Sequence, residues 1–342
     1  MKLTACRLRR RTVLLWLAVL TLAVPAALAA QPLLRISLEN TEDHVQVKAV
    51  QRFAQALADR TRGELRVELY ADGRLFRDRD VVAALVHGQV EMAVPGTWQL
   101  DRFEPAVGIL LLPPFYGRDR NFISEHMDDL VDGMLGQEIN RRLEESTGAV
   151  VLGRWIDLGP VHLFTVRRPV RRHDDIKGLR IRYAGGVVNE MRLAALGAEP
   201  MLVPWPDFPQ RLAGGEVDGV LTSFETVASA RLWEAGVRYA FEDAQYVGQY
   251  VPLVSPQFWR RLPESLRTAV TETWQEHVDQ ARSDAAAAQA AARRRLQEHG
   301  VTIVTPSTAE LRRVRMLLNE TGQEMIRRLG VDHSLLPLVP DP

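Results

Sequence analysis

The chain has 342 residues, of which 46% are hydrophobic and 25% charged, a composition typical of a globular protein with a large core. Basic and acidic residues number 43 each, but five of the cations precede residue 12. The rest of the chain carries 38 basic and 43 acidic side chains, a net charge of −5. This excess of acid, without a basic stripe, argues against a nucleic-acid-binding protein, because phosphate recognition needs clustered Lys and Arg.

Residues 1–29 have the pattern of an export signal, with a cationic start, a short apolar run and small residues before the expected cleavage point. The apolar run is shorter than the roughly 20 residues that span a bilayer, which argues against the alternative of a membrane anchor. We predict cleavage near Ala29/Ala30 and export to the periplasm, with the general and twin-arginine routes both open. The only cysteine, Cys6, lies in the signal, so we expect no thiol chemistry in the mature protein.

Short apolar strands alternate with amphipathic helices from Leu33 to about Gly219, a pattern that predicts an α/β fold with largely parallel sheets. The expected elements of the first half are a strand over 33–38, a helix to about residue 60, a strand over 65–70, a helix over 79–87 and a strand over 90–94. Those of the second half are strands over 179–183, 201–205 and 217–222, with helices over 187–196 and 207–213 between them. Two similar halves predict two lobes.

Two short segments link these halves. Leu85–Glu91 and Leu212–Asp218 each combine the end of a helix, a glycine, a valine and an acid that opens the next strand. The similarity indicates an internal repeat. Because glycine is common in loops from helix to strand, chance similarity remains an alternative.

The C-terminal part is of a different kind, because residues 264–299 contain no glycine or proline and have an alanine-rich centre. We predict one long helix over 263–300, roughly 50 Å in length, which would brace both lobes. The first lobe is expected to comprise residues 30–156 and about 244–262, and the second residues 157–243. A last strand and helix within 301–342 are expected to pack on the lobes.

The sequence contains no recognisable catalytic or metal-binding motif. Its eight histidines include no pair at metal-ligand spacing on a helix, and no nucleophile elbow, phosphate-binding loop or complete dinucleotide fingerprint occurs. Adjacent acids such as Asp174 and Asp175 are typical of helix caps or solvated faces. We therefore predict no metal, no cofactor and no enzymatic activity, with an exported α/β enzyme as the less favoured alternative.

Polar and aromatic residues follow the predicted strands at their carboxyl ends, where open α/β sheets bind ligands. These candidate site residues are Asn40, Trp98, Arg182, Trp205, Thr222, Ser223 and Phe224. Arg182 is the most informative, because its guanidinium can present two parallel N–H donors to a carboxylate. Strand alternation puts it on one face with Arg180, so a surface ion-pairing role for both remains an alternative. The aromatic residues are equally compatible with the core.

Several blocks of the sequence, in this order and spacing, resemble the substrate-binding proteins of TRAP (tripartite ATP-independent periplasmic) transporters, the DctP-like family. The blocks are Thr-Arg-Gly-Glu-Leu at 61–65, Leu-Pro-Pro-Phe at 112–115, Asp-Asp-Ile-Lys-Gly-Leu-Arg-Ile-Arg at 174–182, Ala-Leu-Gly-Ala-Glu-Pro at 195–200 and Val-Asp-Gly at 217–219. The resemblance covers nearly the whole mature chain. It implies a two-lobed periplasmic binding protein of type II-like fold, with hinge strands, a long bracing C-terminal helix and closure around an organic acid for a membrane permease.

The resemblance also assigns residues. It places Arg182 on the family's carboxylate-binding arginine and Trp205 on an aromatic residue that lines the cleft. Thr222 stands where an asparagine usually helps to hold the ligand, Gln245 where a histidine is frequent, and His162 is the nearest candidate for a second basic residue. These departures put the specificity of the dicarboxylate and sialic acid members in doubt for this chain.

The predicted function is that of a periplasmic solute receptor. It binds an organic acid and delivers it to TRAP membrane permease subunits, with no nucleic acid as partner and no stable membrane insertion after signal cleavage. A binding protein for an ABC importer or for a sensor is the alternative. The identity of the acid, its number of carboxylates and the oligomeric state stay open.

Overall fold

The computed structural model describes residues 31–118 and 126–339. The predicted export signal and its cleavage point lie outside these residues. Within the described part of the chain, no helix is both long enough and apolar enough to cross a membrane.

The elements predicted from the sequence begin within two residues of the expected positions, and the structure has further strands and helices that were not predicted. The strands of the described residues are β1 (Leu33–Ser37), β2 (Arg66–Tyr70), β3 (Met92–Ala93), β4 (Val150–Val151), β5 (Ile156–Thr165), β6 (Arg180–Tyr183), β7 (Glu199–Leu202), β8 (Gly219–Thr222), β9 (Tyr239–Tyr250), β10 (Leu253–Val254) and β11 (Thr302–Val304). The helices are α1 (Val45–Arg60), α2 (Asp78–Val86), α3 (Asp128–Asp132), α4 (Met134–Thr147), α5 (Val187–Ala195), α6 (Phe208–Ala213), α7 (Phe224–Ser229), α8 (Pro256–Arg261), α9 (Glu264–Glu298) and α10 (Thr308–Leu329).

The strands form two sheets. The first has the order β2-β1-β3-β10-β4, with β1 parallel to β2 and β3 and with β10 antiparallel to both of its neighbours. The second has the order β11-β9-β5-β8-β6-β7, with β6 parallel to β7 and β8. The chain passes from the first sheet to the second between β4 and β5, and it returns between β9 and β10. Strands β5 and β9 pair antiparallel along most of their length, so both crossings between the sheets lie at the same end of this pair.

The two segments that predict an internal repeat form matching ion pairs with the strands beside them. Arg35 on β1 donates from Nε and Nη2 to the two carboxylate oxygens of Glu91, which precedes β3, at 2.7 and 2.8 Å. Arg180 on β6 does the same to Asp218, which precedes β8, at 2.9 Å for both bonds. Each acid also accepts the backbone N–H of its arginine, so the two parallel strand pairs are joined in the same way.

Two predicted strands end differently. The strand expected over 201–205 runs instead from Glu199 to Leu202, because Pro204 cannot donate to a strand ladder and a 3₁₀ turn begins at Trp205. The strand expected over 90–94 pairs only at Met92 and Ala93. The 12-residue strand β9 was not predicted, because buried polar residues such as Asp243 interrupt its apolar pattern.

Helix α9 has 35 residues and contacts elements beside both sheets. It packs against α1 next to the first sheet and against β5 and α7 of the second. Arg282, near the middle of the helix, donates to both carboxylate oxygens of Asp132 at 2.9 Å. Gln289, two turns further on, donates to the carbonyl of Leu158 at 2.7 Å.

Candidate functional site

A cavity lies between the two sheets, at the carboxyl ends of β1, β6 and β8. Its charged lining residues are Glu39, Asp78, Arg79 and Arg182. Its aromatic lining residues are Trp98, Trp205, Tyr246 and Tyr250. Amide and hydroxyl side chains complete the polar lining at Asn40, Gln99, Thr222 and Thr226. The cavity is thus lined by aromatic side chains and by a small number of polar groups, as ligand-binding sites commonly are.

Arg182 presents its guanidinium to this cavity. Both arginines of β6 lie on the same face, but Arg180, at the start of the strand, pairs with Asp218, whereas Arg182, near its inner end, is only 4% exposed. Its Nε donates to the carbonyl of Val203 at 2.9 Å. In the described part of the chain, neither Nη nitrogen donates to an acceptor and no carboxylate lies within ion-pairing distance. Arg182 is therefore a buried cation with free donors.

Two aromatic rings pack against the guanidinium of Arg182. Its central carbon lies 5.4 Å from the centre of the Trp205 ring and 5.3 Å from that of Phe208, within the range of cation–π attraction. Burial lowers the pKa of Arg182 to about 10, and the negative charge of Glu39 partly opposes this effect. The side chain therefore stays charged at neutral pH. A buried charge without a counter-ion is costly, and an anionic ligand would remove that cost.

The ring of Trp98 can lie at the cavity because two glycines beside it have no side chains. A Cβ on Gly96 would lie 2.3 Å from the Trp98 ring, and one on Gly248 would lie 3.1 Å from it. The ring meets Tyr250 edge to face at a centroid distance of 5.5 Å. Trp98 and Trp205 come from opposite lobes, so the cavity has an aromatic surface on both sides.

Asn40 and Thr222 also reach the lining, one from each lobe. Asn40 Nδ2 donates to Tyr250 Oη at 2.9 Å and to Gln46 Oε1 at 2.6 Å. Thr222 ends β8 with 7% of its surface exposed. Together with Arg182, Trp98 and Trp205, these residues are the five sequence-predicted candidates that the structure brings to one cavity.

The other three predicted residues do not line it. Ser223 is fully buried as the N-cap of α7, where its Oγ accepts the backbone N–H of Thr226 at 3.1 Å. Phe224 packs edge to face on Phe164 in the core of the second lobe. His162 Nδ1 accepts the backbone N–H of Ala244 at 3.0 Å. All three side chains thus contact other groups of the protein.

Gln245, which stands where a histidine is frequent in the resembling family, is also outside the cavity lining. Its side chain is fully buried and donates to Asp243 at 2.9 Å.

The sequence pattern missed four lining residues that matter for chemistry. Glu39 and Asp78 face the cavity from the first lobe, and Tyr246 and Tyr250 face it from β9. An acid directly after a strand was a visible signal for Glu39, whereas the tyrosines required β9 to be recognised. Among the described residues, no group of three or more His, Cys, Asp or Glu side chains could hold a metal ion.

Hydrogen bonds join the two lobes around the cavity. Arg77 donates to both oxygens of Asp207 at 2.9 and 3.2 Å. Gln99 donates to the carbonyl of Ala184 at 2.6 Å. Asp101 accepts the backbone N–H of Val187, at the start of α5, at 2.7 Å. The lobes are therefore closed on one another in this structure.

Comparison with known proteins gives consistent results. A family model described as bacterial extracellular solute-binding protein, family 7, matches residues 36–329. The C4-dicarboxylate-binding periplasmic protein DctP of Rhodobacter capsulatus is 28% identical over 317 residues, which cover 92% of each chain. The 2,3-diketo-L-gulonate-binding periplasmic protein YiaO of Escherichia coli is 27% identical over 270 residues, covering 77% of this chain and 80% of that protein.

Solved structures share the fold. The sugar acid binding protein DctPAm from Advenella mimigardefordensis, in complex with galactonate, superposes with a TM-score of 0.84 at 20% identity, over 90% of this chain and 97% of that one. A TRAP periplasmic solute binding protein from Sulfurospirillum deleyianum with bound succinate gives a TM-score of 0.81 at 21% identity, over 91% and 98%. These neighbours confirm the predicted two-lobed α/β fold.

Proposed function

Because the chain belongs to family 7 of the bacterial extracellular solute-binding proteins, we propose that its cleft binds an organic acid and that the loaded receptor delivers this acid to the membrane permease of a TRAP-type secondary transporter. The predicted family resemblance is thereby confirmed, and the ligand and the membrane partner are the parts that we propose. Relatives named for C4-dicarboxylate and diketogulonate binding support an acid as ligand.

One observation carries the proposal: the buried guanidinium of Arg182 faces the cavity with both Nη nitrogens free of acceptors in the described chain. Two parallel N–H donors match the two oxygens of a carboxylate. In the proposed complex, Thr222 donates or accepts beside the carboxylate and the rings of Trp98 and Trp205 enclose the body of the ligand. Asn40 contacts the ligand from the first lobe. We propose that a second layer of residues holds these binding residues in position, namely Ser223, Phe224 and His162.

The proposal is tested by isothermal titration calorimetry of purified, ligand-free protein against a panel of mono- and dicarboxylates. We expect at least one acid to bind with a dissociation constant between micromolar and nanomolar, about 8 to 12 kcal/mol of binding free energy. The Arg182→Met variant should lose this binding. The matched control is Arg180→Met, two residues away on the same strand, which should keep it. Normal affinity in Arg182→Met would overturn the role of this residue.

Binding is proposed to involve no chemical conversion of the ligand. The family consists of binding proteins, and no nucleophile with an adjacent base is readable in the sequence. Mass spectrometry of an acid after prolonged incubation with the protein should return it unchanged, and an altered mass would favour the alternative of an exported enzyme. Genes for two integral membrane permease subunits beside this one would support a TRAP partner, whereas a gene for an ATPase would support an ABC importer.

A further inference from the structure

Two acidic side chains face Arg182 across the cavity. Glu39 follows β1 and Asp78 begins α2, so both belong to the first lobe, whereas Arg182 belongs to the second. Glu39 is 7% exposed, and its Oε2 accepts the backbone N–H of Asp78 at 2.8 Å. No ion pair joins either acid to Arg182, although all three line the same cavity. We call the carboxyl groups of Glu39 and Asp78 the acidic wall.

The acidic wall holds a proton more readily than separate carboxylates would. Burial, the charge of Glu39 and a hydrogen bond between the two side chains raise the pKa of Asp78 well above its usual range. The two carboxyl groups therefore lie close together on one side of the cavity, and the guanidinium that can hold the carboxylate of a ligand lies on the other side. A second carboxylate on the ligand would place a further negative charge beside these acidic groups.

The first lobe also has few free donors for a second carboxylate. Asn40 uses both of its amide N–H donors, for Gln46 and Tyr250, and Gln99 uses one of its two for the carbonyl of Ala184. Arg79 is the other cation of the lining, but it is exposed to solvent, where charge pairs are weak. What the first lobe offers at this end of the cavity is carboxyl oxygens, which accept hydrogen bonds.

Resting on the proposed function, we propose that the ligand is a hydroxylated acid with a single carboxylate. Its carboxylate lies on Arg182, and its hydroxyl groups donate to Glu39 and Asp78. The acidic wall thereby determines specificity, because it accepts hydroxyl donors and repels a second carboxylate. An unpaired like charge in a closed cleft is costly, so the discrimination is largest against dicarboxylates of the same length.

Matched acids that differ only in their last carbon test this directly. The pairs are glycerate with tartronate, erythronate with meso-tartrate, and galactonate with galactarate, where a terminal hydroxymethyl group becomes a carboxylate. Calorimetry at pH 7.5 should show that the hydroxy monocarboxylate of at least one pair binds, at least tenfold more tightly than its dicarboxylate. In Glu39→Gln and Asp78→Asn, which keep the side-chain shape, this preference should fall by tenfold or more. The control Glu64→Gln, at an exposed acid, should leave it unchanged.

The outcomes separate this inference from the proposed function. Equal or tighter binding of the dicarboxylates, preference for an amino acid, or no binding of any hydroxy acid in the set would overturn the inference. A preference that survives in both Glu39→Gln and Asp78→Asn would also overturn it. If another carboxylate then binds and Arg182→Met abolishes that binding, the proposed function stands without the inference. If no carboxylate binds the wild-type protein, the proposed function itself fails.

Discussion

Arg180 and Arg182 occupy the same face of one strand, and their surroundings give them different effects on stability. Arg180 is paired with Asp218 and also donates to the carbonyl of Gly215, whereas Arg182 is buried without a counter-ion. We expect Arg180→Met to lower the free energy of unfolding slightly, as for a solvent-screened ion pair. Arg182→Met should leave it unchanged or raise it, because the variant removes an uncompensated buried charge.

Urea denaturation of the ligand-free proteins measures both effects. The ligand must be removed first, since a bound acid stabilises the folded state by mass action and would hide the difference. A loss of 2 kcal/mol or more in ligand-free Arg182→Met would contradict the view that this guanidinium is uncompensated.

Asp101 gives a prediction about pH. The side chain is 5% exposed, and burial raises its pKa to about 6 although the backbone N–H of Val187 donates to it. The folded protein therefore binds this proton more tightly than the unfolded chain does. The contribution of Asp101 to stability is full below about pH 4 and is lost as the pH rises through about 6.

Asp101→Asn keeps an acceptor for the Val187 N–H but does not titrate. We expect this variant to exceed the wild type in unfolding free energy at pH 7, by about 3 kcal/mol at most, and to lose this advantage at pH 4. Urea denaturation at pH 4, 5, 6 and 7 measures the difference. Asp43→Asn, at an exposed acid, should differ from the wild type by less than about 0.5 kcal/mol throughout. A pH-independent effect of Asp101→Asn would refute the argument.

At the scale of elements, periodicity in the sequence predicted those strands and helices whose pattern depends on neighbouring residues alone. Strands β1 and β6 alternate apolar and polar residues, and α9 lacks helix-breaking residues, so all three were predicted within a few residues. Strand β9 could not be predicted because its buried polar residues are satisfied by distant partners. Asp243 accepts from Tyr116 at 3.1 Å and Gln249 donates to Asp157 at 3.0 Å, contacts that span 127 and 92 residues of sequence.

The attachment of α9 gives a prediction at this scale. Arg282 is 6% exposed, and besides Asp132 it donates to the carbonyl of Trp155 at 3.0 Å. Arg282→Met removes one of the two arginine partners of Asp132, which keeps Arg154, and leaves the Trp155 carbonyl without this donor. The loss of these charged hydrogen bonds should lower the free energy of unfolding by about 2 kcal/mol. The matched control, Arg294→Met, changes an exposed arginine of the same helix and should cost less than about 0.5 kcal/mol. Equal effects of the two variants in urea denaturation would show that Arg282 does not fasten the helix.

At the scale of the whole molecule, the cavity shows which part of a site a sequence can reveal. Arg182 and Trp205 were predicted because charged and aromatic residues stand out at the ends of apolar strands. Glu39 and Asp78 were missed because an acid after a strand or at the start of a helix is also typical of a cap. Glu39 does accept a helix N–H, so its second role is visible only once the lobes are closed around one cavity.

Closure itself is the subject of the last prediction. Arg77 and Asp207 belong to different lobes and form a two-bond ion pair, with both side chains about 40% exposed. Closure of two lobes around a ligand depends on contacts that exist only in the closed state. The contribution of an exposed pair is small, because solvent screens it. Arg77→Met should therefore increase the dissociation rate of the ligand by about two- to fivefold, with little change in association, because the bond forms after the ligand has entered.

Stopped-flow measurement of ligand release tests this at two salt concentrations. The increase should be present at 50 mM NaCl and nearly absent at 1 M NaCl, where the wild-type pair is already screened. Asp207→Asn should have the same effect, and the double variant should release the ligand no faster than either single variant, because one interaction is lost in all three. Effects that multiply in the double variant would mean that Arg77 and Asp207 act separately and that their ion pair does not hold the cleft closed.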